Sequence, residues 1–157
     1  MTRRFSPYPS VAFPQQVNEV SEPTPGAVFS GEFTTDKRGY VLGAAKGAGR
    51  AVNAWLSVLA SGKDDAATLS LALDVKINGT SCLSTQPVIA HVSGEASMQK
   101  TSKEDTDTGI TQAVVDADAD DYAPGDIFTC DLALTRTASP TTEMSNVAVV
   151  VELEPSR

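Results

Sequence analysis

With 157 residues, 41% of them hydrophobic, the chain holds enough apolar matter for one ordinary core, so a single body with an appendage is expected. Its 20 acidic and 12 basic side chains give a net charge of −8; Arg3 and Arg4 are the only charged residues in residues 1–18, so residues 19–157 carry −10. Such a body repels phosphate backbones and anionic lipid, which argues against nucleic acid and membrane as partners.

Residues 1–26 contain Pro7, Pro9, Pro14, Pro23 and Pro25. Proline fixes φ and removes an amide donor, so neither a helix nor a central strand runs through this stretch, and it reads as an extended N-terminal arm, with a disordered leader as the alternative. Arg3, Arg4, Phe5, Tyr8, Val11 and Phe13 supply charge and apolar anchors at a spacing that suits an extended chain laid over a surface. No apolar signal core follows the Met-Thr-Arg-Arg start and no run is long enough to span a bilayer, so folding in a cytoplasm is expected.

Residues 27–157 form the expected domain, in which period-two alternation dominates. Residues 28–34, 40–45, 51–60, 87–92 and 110–115 are weaker strand candidates. In residues 66–77, Ala67, Leu69, Leu71, Leu73, Val75 and Ile77 fall on one face. Asn78-Gly79 follows, the pair that best tolerates the positive φ angles of a tight hairpin. Phe128, Cys130, Leu132 and Leu134 alternate again, as do Val147, Val149, Val151 and Leu153. Turn chemistry separates the runs at residues 36–39, 61–64 and 123–126. The fold class is therefore all-β: an antiparallel β-sandwich or jelly roll of about eight strands behind the arm.

Residues 50–60 also admit a helical reading. As a strand they point Val52, Ala54, Leu56 and Val58 inward and leave Trp55 and Leu59 outside, where an apolar pair serves as a subunit-interface anchor.

Motifs of catalysis are missing. Asp116, Asp118 and Asp120 open like a calcium loop, but Asp121 stands where the glycine of the sharp bend belongs and Ile127 where the bidentate glutamate belongs. These residues, with Glu104, Asp105 and Asp107, read as solvated acidic loops, and no metal or cofactor is expected. Gly43, Gly47 and Gly49 lack the Lys-Ser/Thr of a phosphate loop and read as positions of a bend or of close strand approach. His91 is the only histidine, so an enzyme is not expected. Cys82 and Cys130 are expected as buried free thiols, with a cross-strand bridge as the alternative.

Residues 71–89 (LALDVKINGTSCLSTQPVI) and 123–153 (APGDIFTCDLALTRTASPTTEMSNVAVVVEL) resemble the jelly-roll modules of tailed-bacteriophage virion proteins. The shared pattern is a strand closing on Asn-Gly-Thr-Ser, a Gly-Asp that opens the penultimate strand, and a final valine-rich strand. It spans roughly the C-terminal half and determines fold more than function. The resemblance implies a capsid decoration or cement protein on the virion surface, assembled in the host cytoplasm, with the major capsid protein as partner and a homotrimer as the assembly. In that setting the arm binds capsid subunits, and Trp55 and Leu59 lie between copies. A receptor- or carbohydrate-binding fibre tip is the alternative; the absence of heptads or collagen-like repeats favours the cement protein.

Overall fold

A computed structural model describes residues 24–63, 68–90, 98–102, 108–137, 140 and 142–156. Among them are six strands of eight or more residues: β1 (Gly26–Phe33), β2 (Lys37–Ala44), β3 (Gly49–Ala60), β4 (Ser70–Ile77), β12 (Ile127–Thr135) and β13 (Met144–Pro155). Seven strands of two or three residues lie between β4 and β12: β5 (Thr80–Ser81), β6 (Leu83–Thr85), β7 (Val88–Ala90), β8 (Gln99–Lys100), β9 (Ile110–Thr111), β10 (Val114–Val115) and β11 (Asp121–Tyr122). Gly26 already belongs to β1, and the Pro25 carbonyl accepts a hydrogen bond from the Val151 amide at 2.9 Å.

All pairing is antiparallel. The first sheet runs β1-β13-β3-β11, with β8 also on β3; the second runs β2-β12-β4-β7-β9, with β5 also on β4; β6 and β10 form a small separate ladder. The long strands alternate between the two sheets along the chain, except that β4 and β12 share the second. The core lies between the sheets. Leu56, Val58, Val147, Val149 and Val151 enter it from the first, and Leu71, Leu73, Val75, Phe128, Cys130 and Leu132 from the second. Each fully buried leucine or valine contributes about 1.5–3 kcal/mol by leaving water. Tyr122 of the first sheet meets Phe128 of the second edge-to-face at 5.5 Å, tying the layers together.

The expected alternation of β4 holds, since Leu69, Leu71, Leu73, Val75 and Ile77 are all buried. Ala67 lies outside the described residues. The hairpin follows as expected: Asn78 (φ 50°) and Gly79 (φ 87°) both take positive φ, and Lys76 pairs with Ser81. Leu134 and Leu153, expected inside, are half-buried at the ends of their strands.

Residues 50–60 are strand and not helix, because β13 pairs with ten of the residues between Gly49 and Ala60. The ladder has one slip, where Glu152 faces Asn53 but Leu153 faces Ala51, so Val52 is the extra residue of a bulge. Val52 is therefore half-buried instead of inward, and Ala51 takes the core position at 1% exposure.

The turn expected at residues 36–39 sits earlier, at residues 34–36. Lys37, Arg38 and Gly39 join β2, where Arg38 and Gly39 together oppose Asp131 between the Leu132–Lys37 and Cys130–Tyr40 pairs. Gly39 adopts φ 60° and its amide donates to Asp131 Oδ1 at 2.7 Å. At residues 123–126, Pro124 and Gly125 (φ 91°) form the turn as expected, closed by the Asp126 amide on the Ala123 carbonyl at 3.1 Å.

Gly49 bears out the reading of close approach. A side chain there would strike the Glu154 carbonyl and the Tyr122 hydroxyl.

Cys130 pairs with Val75 on one side of β4, and the Cys82 amide donates to the Val75 carbonyl at 2.9 Å on the other. Both cysteines are buried and free. Val75 stands between them, and two strand spacings put their Cα atoms about 10 Å apart. A disulfide spans about 4.4–6.8 Å, so the cross-strand bridge is excluded.

Candidate interaction surfaces

The two outer faces of the sandwich differ in character. On the second sheet, β4 presents Ser70, Ala72, Asp74 and Lys76, and β12 presents Thr129, Asp131, Ala133 and Thr135. Its polar groups satisfy one another. Lys76 Nζ donates to Asp131 Oδ2 at 2.6 Å and lies 3.8 Å from Asp74, and the Ser81 hydroxyl donates to Asp74 Oδ1 at 2.5 Å. The Lys76 hydrogen bond, aided by the Gly39 amide, holds the Asp131 carboxyl below its ordinary range; the same contact raises Lys76. A face so fully paired has little left to offer a ligand.

The outer face of the first sheet carries an apolar centre together with Ser57, the buried Asn53 and the exposed Lys100 and Glu152. Across the strands, Val28, Ala148, Ser57 and Lys100 form one row, and Gly26, Val150 and Trp55 form the next. Leu59 follows Val58 on β3 and Met98 precedes its partner Gln99, which extends the same register to an outward Leu59–Met98 neighbourhood. Val28, Leu59 and Met98 are 71%, 61% and 70% exposed, and Trp55 is half-buried. Trp55 and Leu59 thus stand on the outside, where the strand reading of residues 50–60 puts them. Towards the far end of the face Arg50 Nε donates to Glu154 Oε2 at 2.7 Å, a contact that raises the Arg50 pKa.

On the open side of the sandwich the edge strands β1 and β2 come together. Phe29 stacks edge-to-face on Tyr40 at 4.8 Å and on Phe33 at 5.8 Å, and Val41 beside Tyr40 is 60% exposed. A cleft of about 290 Å³ at the β1–β2 turn is lined by Phe29, Ser30, Glu32, Phe33, Thr34 and Lys37 among others.

At the opposite end of β4 the Asn78 side chain ties two turns together. Its Nδ2 donates to Asp126 Oδ1 at 2.7 Å and its Oδ1 accepts from the Ile127 amide at 2.9 Å. The Ala123 amide donates to Asp126 Oδ2 at 2.8 Å; this bond first, and Asn78 second, lower the Asp126 pKa.

In the acidic run, the Asp116 carboxylate accepts from the Asp118 amide at 3.1 Å and Asp121 pairs with Arg50 in the β3–β11 ladder. Among the described residues, no three histidine, cysteine or acidic side chains are placed to hold a metal ion. No described helix is long and apolar enough to cross a membrane.

Arg3, Arg4, Phe5, Tyr8, Val11 and Phe13 lie outside the described residues, as do His91, Glu104, Asp105 and Asp107. No family model, curated protein or solved structure matches this chain.

Sequence reasoning found Trp55 and Leu59 but missed Val28, Val150, Met98 and Lys100 as their neighbours. Local alternation carried part of the signal, because Ala27 and Phe29 turn inward and so put Val28 outside. The register that brings these four beside Trp55 is a property of the ladders and has no local trace.

Proposed function

We propose that this protein is a structural component of a phage virion, binding the outside of the capsid and cementing neighbouring capsid subunits. The arm grips the capsid: Phe5, Tyr8, Val11 and Phe13 enter apolar pockets, and Arg3 and Arg4 meet acidic groups. Its prolines lower the ordering entropy lost on docking, because a proline ring restricts its backbone before any contact is made.

The observation that carries this reading is the contrast between the outer faces. The charged outer face of the second sheet is internally satisfied, whereas the outer face of the first exposes apolar side chains around Trp55, which suits adhesion and assembly rather than bond-breaking chemistry. The strand order adds support. β13 lies between β1 and β3 in one sheet and β12 between β2 and β4 in the other, an antiparallel two-sheet arrangement compatible with the jelly-roll modules of the virion proteins that the sequence resembles.

Co-sedimentation with assembled capsids tests the proposal. The native chain is expected in the capsid pellet, and the full-length Phe5→Ala/Tyr8→Ala/Phe13→Ala variant in the supernatant. Undiminished binding by the variant rules out the arm as the anchor, and failure of the native chain to bind any phage capsid removes the cement function.

A further inference from the structure

Two charged groups border the apolar centre of the outer face of the first sheet. Lys100 is exposed on β8 and pairs with Ser57 of β3; Glu152 is exposed on β13 and pairs with Asn53. Neither makes an ion pair among the described residues, whereas Arg50, Lys76 and Arg136 each do.

Their positions relative to Trp55 are related by symmetry. Lys100 lies one strand to one side of Trp55 and two residues along in the direction of Ser57. Glu152 lies one strand to the other side and two residues along in the direction of Asn53. Trp55 is thus the midpoint of the line from Lys100 to Glu152. A two-fold axis lying in the plane of the face, crossing that line at right angles at Trp55, would carry each of these charges onto the other.

We infer that the outer face of the first sheet binds the same face of a second copy of this chain, about a two-fold axis at Trp55. Lys100 of each copy then stands against Glu152 of the partner subunit. The inference rests on the assembly part of the function proposed above and gives that assembly a partner surface. It replaces the three-fold grouping implied by the resemblance with an isologous pair, because a patch whose charges are self-complementary closes on itself.

The apolar part of the contact comes from Val28, Val150 and the two Trp55 rings, tryptophan being among the residues that most often anchor interfaces. The net charge of −10 on each body opposes association at long range, and the uncharged centre keeps like charges from meeting inside the contact itself. Four strands about 4.8 Å apart and about six residues along each frame roughly 400 Å². That is about half of the ~800 Å² that each partner buries in a standard interface, so a weak, readily reversible dimer is expected.

Sedimentation equilibrium of the full chain at about 0.15 M salt, where the long-range repulsion between acidic chains is screened, and up to about 200 µM, tests the inference. A monomer–dimer equilibrium is expected. Lys100→Glu alone and Glu152→Lys alone each weaken the dimer at least about tenfold by setting like charges together, and the double variant restores it to within about threefold. Ala133→Lys, on the outer face of the second sheet, leaves it unchanged. A chain that stays monomeric throughout, a trimer, or a double variant as weak as the single ones overturns the inference. Capsid binding is a separate readout: the arm variant loses it without altering this equilibrium, so failure of one reading does not imitate failure of the other.

Discussion

Asp74 and Asp131 stand directly opposite each other across the β4–β12 ladder. Like charges in that position repel, and the sheet tolerates them because Lys76, on the same face of β4, reaches both.

Replacing Lys76 with methionine leaves the two carboxylates facing each other without a cation. Asp131 is held below its ordinary pKa chiefly by Lys76, so its stabilising contribution is present above the unfolded value near ~4 and is lost as pH falls through the folded value. Lys76 is raised, so its contribution is present below ~10.4 and is lost as pH rises through its own folded value. Thermal melts across pH should therefore show Lys76→Met less stable than the native chain at pH 7, with the gap narrowing as the solution is acidified below pH ~4.

The turn at Asn78 and Gly79 separates two effects. Gly79 has φ 87° and open space where a side chain would stand, so Gly79→Ala costs only backbone strain, about 1–2 kcal/mol. Asn78→Ala removes two side-chain hydrogen bonds to residues near the start of β12 and also sets alanine at φ 50°, so it is expected to cost more than Gly79→Ala, about 2–4 kcal/mol. Urea unfolding of both variants measures the difference.

Burial pushes both thiols up, Cys82 and Cys130 each to about 11. With Val75 between them they have no route to each other. Ellman's reagent should find no reactive thiol in the native chain at pH 8 and two after unfolding in guanidinium, and air oxidation of the folded chain should leave both reduced.

The bulge in β3 makes adjacent positions unequal. Val52→Thr should change stability by less than about 0.5 kcal/mol, since Val52 is half-buried at the irregular point of the ladder. Ala51→Leu should cost about 1–3 kcal/mol, because Ala51 is packed in the core at 1% exposure. Denaturant midpoints for the pair check that Ala51, and not Val52, faces the core.

The fold class was legible because burial on one face leaves a period of two in the sequence, as β4 displays without a break from Leu69 to Ile77. The bulge at Val52 was not, because the extra residue is set by where β13 slips and not by any local preference. Gly39 misled for a related reason: a glycine at positive φ serves a bulge as readily as a turn, and the partner that decides, Asp131, lies 92 residues away. Of the outer surface, Trp55 and Leu59 were readable on β3 alone. Lys100 and Glu152 gain their relation to Trp55 only once three strands have taken their register.

The place of β13 also governs how the chain is made. Because it separates β1 from β3, and β12 likewise separates β2 from β4, the four early strands have no long ladder among themselves. On the ribosome they wait with their apolar sides uncovered until the last third of the chain emerges. The newborn protein therefore depends on rapid completion, or on a chaperone's shelter, more than a chain of consecutive hairpins would.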